Sequence, residues 1–523
     1  MTKLILFVLC VISVTCYVAA KDKVVVCYYG TWATYRNGNG KFDVENINTD
    51  LCTHLVYTFI GITEQGYAKS LDPWLDLEDN WGRGNFKKFN ALKQYKPNLK
   101  TLLAVGGWNE GSAKYSVMAA SSTLRQNFIR STLEMVRTHG FDGLDLDWEY
   151  PNRRDSVHGK ADIDNFTQLT KELRAEFDKY GLLLTAAVSA VGSVAVLSYD
   201  IPAFTQYVDL VNLMTYDMYG AWDSVTGHNA PLHKGQGDEN VPKENVFTVD
   251  VALEYWLQQG CPPEKLVLGL PLYGRTFQLS NANNNGVRAP ASGAGIAGPW
   301  TATNGLIGYN EFCQKLKTES WDLRYDSLAK VPYAVQGRNW VSYDDPSSIA
   351  IKIEHALQYN IAGAMIWSIE TDDFRGLCAG DFPMLRAINE ALGKYSGQQQ
   401  TTTTTSSSAI TTTTSRPSQT TTTTTSRPSQ TTTTTTSRPS QTTTTSTTTT
   451  SAPTLAPSTS APSASVCQTE GFNINPEDCH SFYVCIRGGF GDLVPHLFYC
   501  PGNLHWDPQF TVCNYSDQAN CKN

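Results

Sequence analysis

The sequence predicts an α/β chain built on a closed (β/α)8 TIM barrel, and three observations predict it. Eight short apolar runs, rich in β-branched or aromatic residues, recur between residues 24 and 370. Helical patterns stand between many of them, the alternation expected of parallel strands joined by crossover helices. One run, "GLDLDWEY" at 143–150, places carboxylates on a stretch that otherwise reads as buried, and a barrel interior can house such a face. A doubly wound open sheet is the rival arrangement for the same alternation.

In chain order the runs are "VVVCYYG" (24–30), "HLVYTFIGI" (54–62), "KTLLAVGG" (100–107), "GLDLDWEY" (143–150), "LLLTAAVSA" (182–190), "VDLVNLMTYD" (208–217), "KLVLGLPLYG" (265–274) and "GAMIWSIE" (363–370). Between the third and fourth, Ser121 or Ser122 caps a helix with Ile129, Leu133 and Val136 on one face and Gly140 as its stop. Before the eighth, Ile349, Ile353, Ala356 and Leu357 form a second stripe at helical spacing. The gap between the seventh and eighth runs, about 276–345, is too long for one helix and predicts an inserted α+β subdomain.

The barrel domain is expected to span 21–395, with three other segments around it. Residues 1–20 read as a secretory signal: Lys3, an apolar run from Leu4 to Val18, and small residues at Ala19 and Ala20. Residues 396–465 read as a linker, almost entirely Thr, Ser, Pro and Gln from 398, with "TSRPSQ" recurring so that Arg416, Arg427 and Arg438 fall in register. Nothing in that unit can pack a core, so a disordered, O-glycosylated spacer is expected. Residues 466–523 hold six of the thirteen cysteines and predict a small disulfide-rich β module.

With 41 basic and 49 acidic side chains the net charge is −8, which argues against nucleic acid or an anionic membrane as partner. No run after the signal reaches about 18 apolar residues, the length that spans a bilayer. Export follows from the signal, and a monomer is expected.

Alternation along the acidic run gives Asp145, Asp147 and Glu149 one face and Leu144, Leu146 and Trp148 the other. Asp142 has the opposite parity and reads as structural. Neighbours on one strand face are about 6–7 Å apart, so three carboxylates in a column cannot all ionise and at least one keeps its proton. Glu149, just before Tyr150 and Pro151 end the run, sits where barrel active sites form and becomes a general acid. A solvated acidic face or a divalent-cation site is the bland alternative. Aromatics gather at the ends of the other runs: Tyr29 and Trp32, Phe59, Trp108 (in Gly106-Gly107-Trp108-Asn109), Tyr216, Trp222, Tyr273 and Trp367. Each alone reads as packing. Together on one rim they suit the flat apolar faces of sugar rings.

"FDGLDLDWEYP" is similar to the D-x-x-D-x-D-x-E signature of glycoside hydrolase family 18 chitinases, and "LLAVGGWN", "NLMTYD", "LGLPLYGR" and "GAMIWSIETDD" resemble that family's other strand-end motifs. The likeness covers roughly 24–393 and, with the C-terminal module, looks most like arthropod chitinases. It implies that Glu149 protonates the glycosidic oxygen and that Asp147, backed by Asp145, holds the acetamido N–H, with Tyr216 and Asp217 orienting that group. Enzymes of this family depart from the usual two-carboxylate scheme, because the substrate's own acetamido group replaces the second carboxylate. Trp367 would floor the cleft, with Tyr29, Trp32, Phe59, Gly106, Gly107, Trp108, Asn109, Tyr150, Met214, Trp222, Tyr273 and Arg275 lining it. Asp79, Asn80 or Trp81 would reach a distal sugar. No metal or cofactor is implied.

The resemblance also implies the disulfides Cys27–Cys52 and Cys313–Cys378, leaving Cys261 as a free thiol. The C-terminal spacing resembles a peritrophin-A chitin-binding module, which implies Cys467–Cys485, Cys479–Cys521 and Cys500–Cys513. Phe482, Tyr483, Trp506 and Phe510 are its candidate sugar-binding aromatics, Trp506 first as an exposed stacker. Asn165 and Asn514 sit in N-glycosylation sequons. The expected function is a secreted, endo-acting, retaining chitinase working on chitin and chito-oligosaccharides, in a gut lumen or peritrophic matrix. The alternatives are a catalytically weak chitinase-like lectin, a chitin-matrix-binding protein and a glycoprotein-cleaving endo-glycosidase.

Overall fold

Eight parallel strands close on themselves: β1 (Val24–Gly30), β2 (His54–Ile62), β3 (Lys100–Gly106), β4 (Gly143–Asp147), β5 (Leu183–Ser189), β6 (Leu210–Met214), β7 (Leu266–Pro271) and β8 (Gly363–Trp367). Each pairs with the next, and β1 pairs in parallel with both β2 and β8. That last pairing leaves no edge and excludes the open sheet. This computed structural model describes residues 23–239, 241, 246–402 and, in a separate C-terminal unit, 467–468, 471–487, 493–500, 504–508, 512–515 and 519. The expected signal and linker residues 403–465 lie outside the described residues.

Strand parity sorts the apolar residues into two layers. Val24, Val26 and Tyr28 of β1 join Val56, Leu102, Ala104 and Met365 inside the barrel. Val25, Cys27 and Tyr29 point outward into the larger layer beneath the helices. The helix Ser122–His139 starts as its sequence dictates: the Ser121 hydroxyl accepts the Leu124 N–H, and Gly140 ends it in the left-handed conformation at φ 77°. The stripe on Pro346–Leu357 is buried at Ile349, Ile353, Ala356 and Leu357.

Between β7 and β8 stands the insertion, a six-stranded antiparallel sheet whose first strand is Tyr273–Leu279 and whose last before the barrel resumes is Asn339–Ser342. Helix Tyr309–Thr318 covers it, and Ile307, Phe312, Ala334, Val341 and Tyr343 form its own small core. Disulfides join Cys27 to Cys52 and Cys313 to Cys378, while Cys261 is a buried free thiol. The final helix, Pro383–Thr402, runs into the first residues expected of the linker.

The C-terminal unit holds a three-stranded antiparallel sheet (Gly471–Ile474, Ser481–Arg487, Leu493–Tyr499) and a two-stranded one (Leu504–Asp507, Val512–Tyr515). Cys467 is bonded to Cys485, and Cys479 and Cys500 are also in disulfides. Their expected partners, Cys521 and the Cys513 side chain, lie outside the described residues, as do Phe510 and the Asn514 side chain. Trp506 corrects the sequence reading. It is only 3% exposed and stacks on Phe482 with ring centroids 3.8 Å apart. A module this small has few large apolar groups to bury, and it uses this indole for its core rather than as an exposed platform.

Candidate active site

The β4 column is built as its alternation requires. Asp145 and Asp147 are buried, with Leu144 and Leu146 packed in the outer layer. The strand ends at Asp147; Trp148 turns outward, where its Nε1 donates to Ser112 Oγ at 2.6 Å, and Glu149 follows at the rim, half-buried. Asp142, of opposite parity, accepts from the Thr101 N–H at 2.8 Å and from Lys93 Nζ at 2.9 Å, a structural clamp.

The three carboxyls differ in what surrounds them. Asp145 accepts from the Tyr28 hydroxyl at 2.8 Å, from Asn212 Nδ2 at 3.2 Å and from the Thr185 hydroxyl. Burial pushes its pKa up while these donors hold it down. Asp147 is equally enclosed, yet its Oδ1 has no hydrogen-bond partner among the described residues. Burial first, then the charges of Glu149 and Asp145, push it well above the ordinary carboxylate range. Glu149 is raised to about 7, chiefly by burial and further by Asp217, against the Tyr150 hydroxyl and the Arg154 charge, which pull it down. Near neutral pH the column therefore holds a proton at its upper end, while Asp145 is the member best solvated as an anion.

Across the cavity, Met214 ends β6 and Tyr216 and Asp217 follow it. Tyr216 is buried edge-on to Tyr273, with centroids 6.2 Å apart, and its one hydrogen bond among the described residues is a long contact of 3.7 Å to Met365 Sδ. Its hydroxyl feels the charges of Asp147, Asp217 and Glu149, so it faces the column. Asp217 takes the left-handed conformation at φ 58°. Its carboxylate accepts the Tyr273 hydroxyl at 2.6 Å and a two-pronged grip from Arg275, Nε at 2.8 Å and Nη2 at 2.7 Å. Asn229 secures this turn: its Oδ1 accepts the Asp217 N–H at 3.0 Å, and its Nδ2 donates to the Tyr273 carbonyl at 3.0 Å. The Arg275 guanidinium lies 4.9 Å from the Trp222 ring.

Rings form the floor and rim. Trp367 contacts Tyr28 at 5.7 Å, Phe59 at 5.7 Å and Trp32 at 6.1 Å between centroids. Trp32, Trp108 and Trp222 are 42%, 57% and 60% exposed, large apolar surface left open around one site. Asn109 is exposed beside Trp108. Gly106 and Gly107 have positive φ, and their place has no room for a side chain: a Cβ would lie 2.1 Å from the Asp147 carbonyl oxygen or 2.7 Å from the Phe59 ring. Tyr150 meets Glu149 through its hydroxyl. Asp79, Asn80 and Trp81 are exposed on the loop after β2.

One expected lining residue is elsewhere. Tyr29 is wholly buried among Phe42, Tyr57 and Phe89 outside the barrel. Strand parity gives the inward position to Tyr28 instead, which the sequence reading passed over. Glu370 was also missed. It accepts the Gly30 N–H at 3.0 Å and the Ser368 hydroxyl at 2.6 Å and lies 3.7 Å from Arg36, tying the ends of β1 and β8 beneath Trp32 and Trp367. Among the described residues one trio, Cys313, Asp373 and Cys378, clusters closely enough for a metal, but the cysteines are joined in a disulfide and Asp373 already accepts the Leu377 and Cys378 N–H groups.

Comparison with known proteins adds to this geometry. Residues 24–372 match the family described as glycosyl hydrolases family 18, and 467–521 match the chitin binding peritrophin-A domain. The chain is 44% identical to Drosophila melanogaster "Probable chitinase 2" over 402 residues, 71% of this chain and 80% of that protein. It is 38% identical to Manduca sexta "Endochitinase" over 381 residues, 71% and 68% of the two chains. Among solved structures it resembles an Ostrinia furnacalis Group IV chitinase in complex with allosamidin, with TM-score 0.70 and 60% identity over 71% of this chain and 99% of that one. Human YKL-39, described as a pseudo-chitinase with retained chitooligosaccharide binding, matches with TM-score 0.65 and 38% identity over 71% of this chain and 100% of its own.

Proposed function

Because the chain belongs to glycosyl hydrolases family 18 and is a chitinase with a chitin-binding domain, we propose that it cuts within chitin chains by a substrate-assisted, configuration-retaining mechanism. Glu149, protonated near neutral pH, gives its proton to the glycosidic oxygen as the C1–O bond breaks. The acetamido oxygen of the same sugar attacks C1 from the opposite face and forms a cyclic oxazolinium ion. Asp147 takes the acetamido N–H and faces the positive charge, Asp145 supports it from below, and Tyr216 steadies the acetamido oxygen. Water then attacks C1, losing its proton to the Glu149 carboxylate, and the C1–O bond to the acetamido group breaks. Two inversions restore the original configuration.

The observation that carries this reading is the bare Oδ1 of Asp147. An enclosed carboxylate oxygen without a donor is costly, and a substrate amide would supply the donor. Asp217, occupied by Tyr273 and Arg275, serves as an anchor for the wall. Trp367 would lie under the distorted sugar, with Trp32, Trp108 and Trp222 along the groove and the insertion beside it, an arrangement suited to internal cuts in a long chain. The peritrophin-A domain would hold the enzyme at insoluble chitin, raising effective concentration. The three described disulfides fit an exported protein, and no helix among the described residues is long and apolar enough to cross a membrane.

The test is proton NMR of the first products from soluble chito-tetraose. Retention gives the β-anomer first. An α-anomer, or no cleavage of tetraose and colloidal chitin alike, would overturn the proposal; the latter outcome with tight binding would leave a lectin.

A further inference from the structure

Arg154 sits in the loop after β4, exposed and in the left-handed conformation at φ 60°. An exposed arginine ordinarily pairs with a carboxylate or extends into water; this one has no ion-pair partner among the described residues. Its guanidinium lies 3.8 Å from the Trp108 ring centroid. One group, Nη1, donates to the Trp108 carbonyl at 2.7 Å and to the Glu149 carbonyl at 3.2 Å. The next residue reinforces the same junction: Asp155 Oδ1 accepts the Ser112 N–H at 2.8 Å, fixing the loop after β3 against the loop after β4. Trp108 is otherwise an exposed ring on a short turn. With one face under the cation, the other is left for a ligand.

We propose that Arg154 is the positioning residue that sets Trp108 as a sugar platform and ties that platform to the backbone of Glu149. This rests on the reading of the cleft as a chitin-cleaving site. Guanidinium suits the role because it is planar, permanently charged and able to stack while donating at its edge. A lysine keeps the charge and loses the stacked plane. The groups facing the Glu149 carboxyl are Asp147, Asp217, Tyr150, Tyr199 and Tyr216 besides Arg154, and only Arg154 changes in the variants below.

Two readouts test it. In the Glu149→Gln background, calorimetry with chito-tetraose should show Arg154→Met weakening affinity by about 2- to 5-fold, the range for a lost exposed cation–π contact. Adding Trp108→Ala should abolish that difference, because both changes remove one interaction. In the otherwise native enzyme, the alkaline limb of kcat/KM should move to higher pH in Arg154→Met, since removing a cation makes Glu149 harder to ionise, and should stay in place in Arg154→Lys. Equal melting temperatures confirm that the exposed substitutions leave the fold intact. Unchanged affinity with an unmoved limb would overturn the proposal, as would a Met effect that survives in full without Trp108. An inactive native enzyme would sink the catalytic reading, while the binding arm would still decide Arg154.

Discussion

Asp145 and Asp147 stand two residues apart on one face of β4, both enclosed, yet the first accepts three hydrogen bonds and the second leaves an oxygen bare. The shell of Asp145, at the lower level of the barrel, is finished: Tyr28, Thr185 and Asn212 supply what a buried anion needs. The upper level is not, and around it stand a half-buried glutamate raised to about 7 and three largely exposed tryptophans. The same side-chain chemistry is structural where its partners are complete and reactive where they are missing. An incomplete hydrogen-bond shell inside a well-packed barrel marks where a ligand belongs.

The contrast can be broken at four places, in descending order of effect. Glu149→Gln removes the proton donor while keeping shape, and hydrolysis of chito-tetraose should fall by about 10²- to 10⁴-fold with affinity retained by calorimetry. Asp147→Asn leaves the acid but removes the carboxyl that takes the acetamido N–H; kcat should drop by about 10²- to 10³-fold, the range for losing one preorganised electrostatic partner. Tyr28→Phe takes one donor from Asp145, and urea unfolding should show a loss of about 1–3 kcal/mol with a smaller fall in kcat than at Asp147. Tyr29→Phe, one residue along, should leave kcat unchanged and stability equal or slightly higher, because the Tyr29 hydroxyl is buried without a partner among the described residues. If Tyr28 and Tyr29 behaved alike, the division of the barrel into an inner and an outer face would be wrong.

The pair also shows what was legible beforehand. The acidic column and its parity could be read because period-two alternation is strict over Leu144 to Glu149. The ends of the runs located Trp32, Trp108, Tyr216 and Trp367 for the same reason: strand ends mark the rim. In "CYYG" two identical side chains lie on opposite faces, and nothing within the run says which faces in until the register with β8 and β2 is known. Asn229 and Arg154 were hidden because they act from loops, where no period constrains position and a partner's place depends on how distant segments meet. Glu370 closes the eighth run, but it stands in the short helical turn Ile369–Thr371 past the end of β8, where strand alternation no longer holds. Trp506 failed differently: in a six-cysteine unit an indole can serve core or surface, and composition does not separate the two.

The central claim is that enclosure and neighbouring carboxyls keep Glu149 protonated near neutral pH. Carbon-13 NMR of the selectively labelled Glu149 carboxyl, followed against pH in the native enzyme, tests it most directly. The account predicts a midpoint near 7, with kcat/KM falling as pH rises through it because the acid form is the donor. A midpoint near the ordinary glutamate value of about 4.3, with activity persisting well above it, would contradict the account.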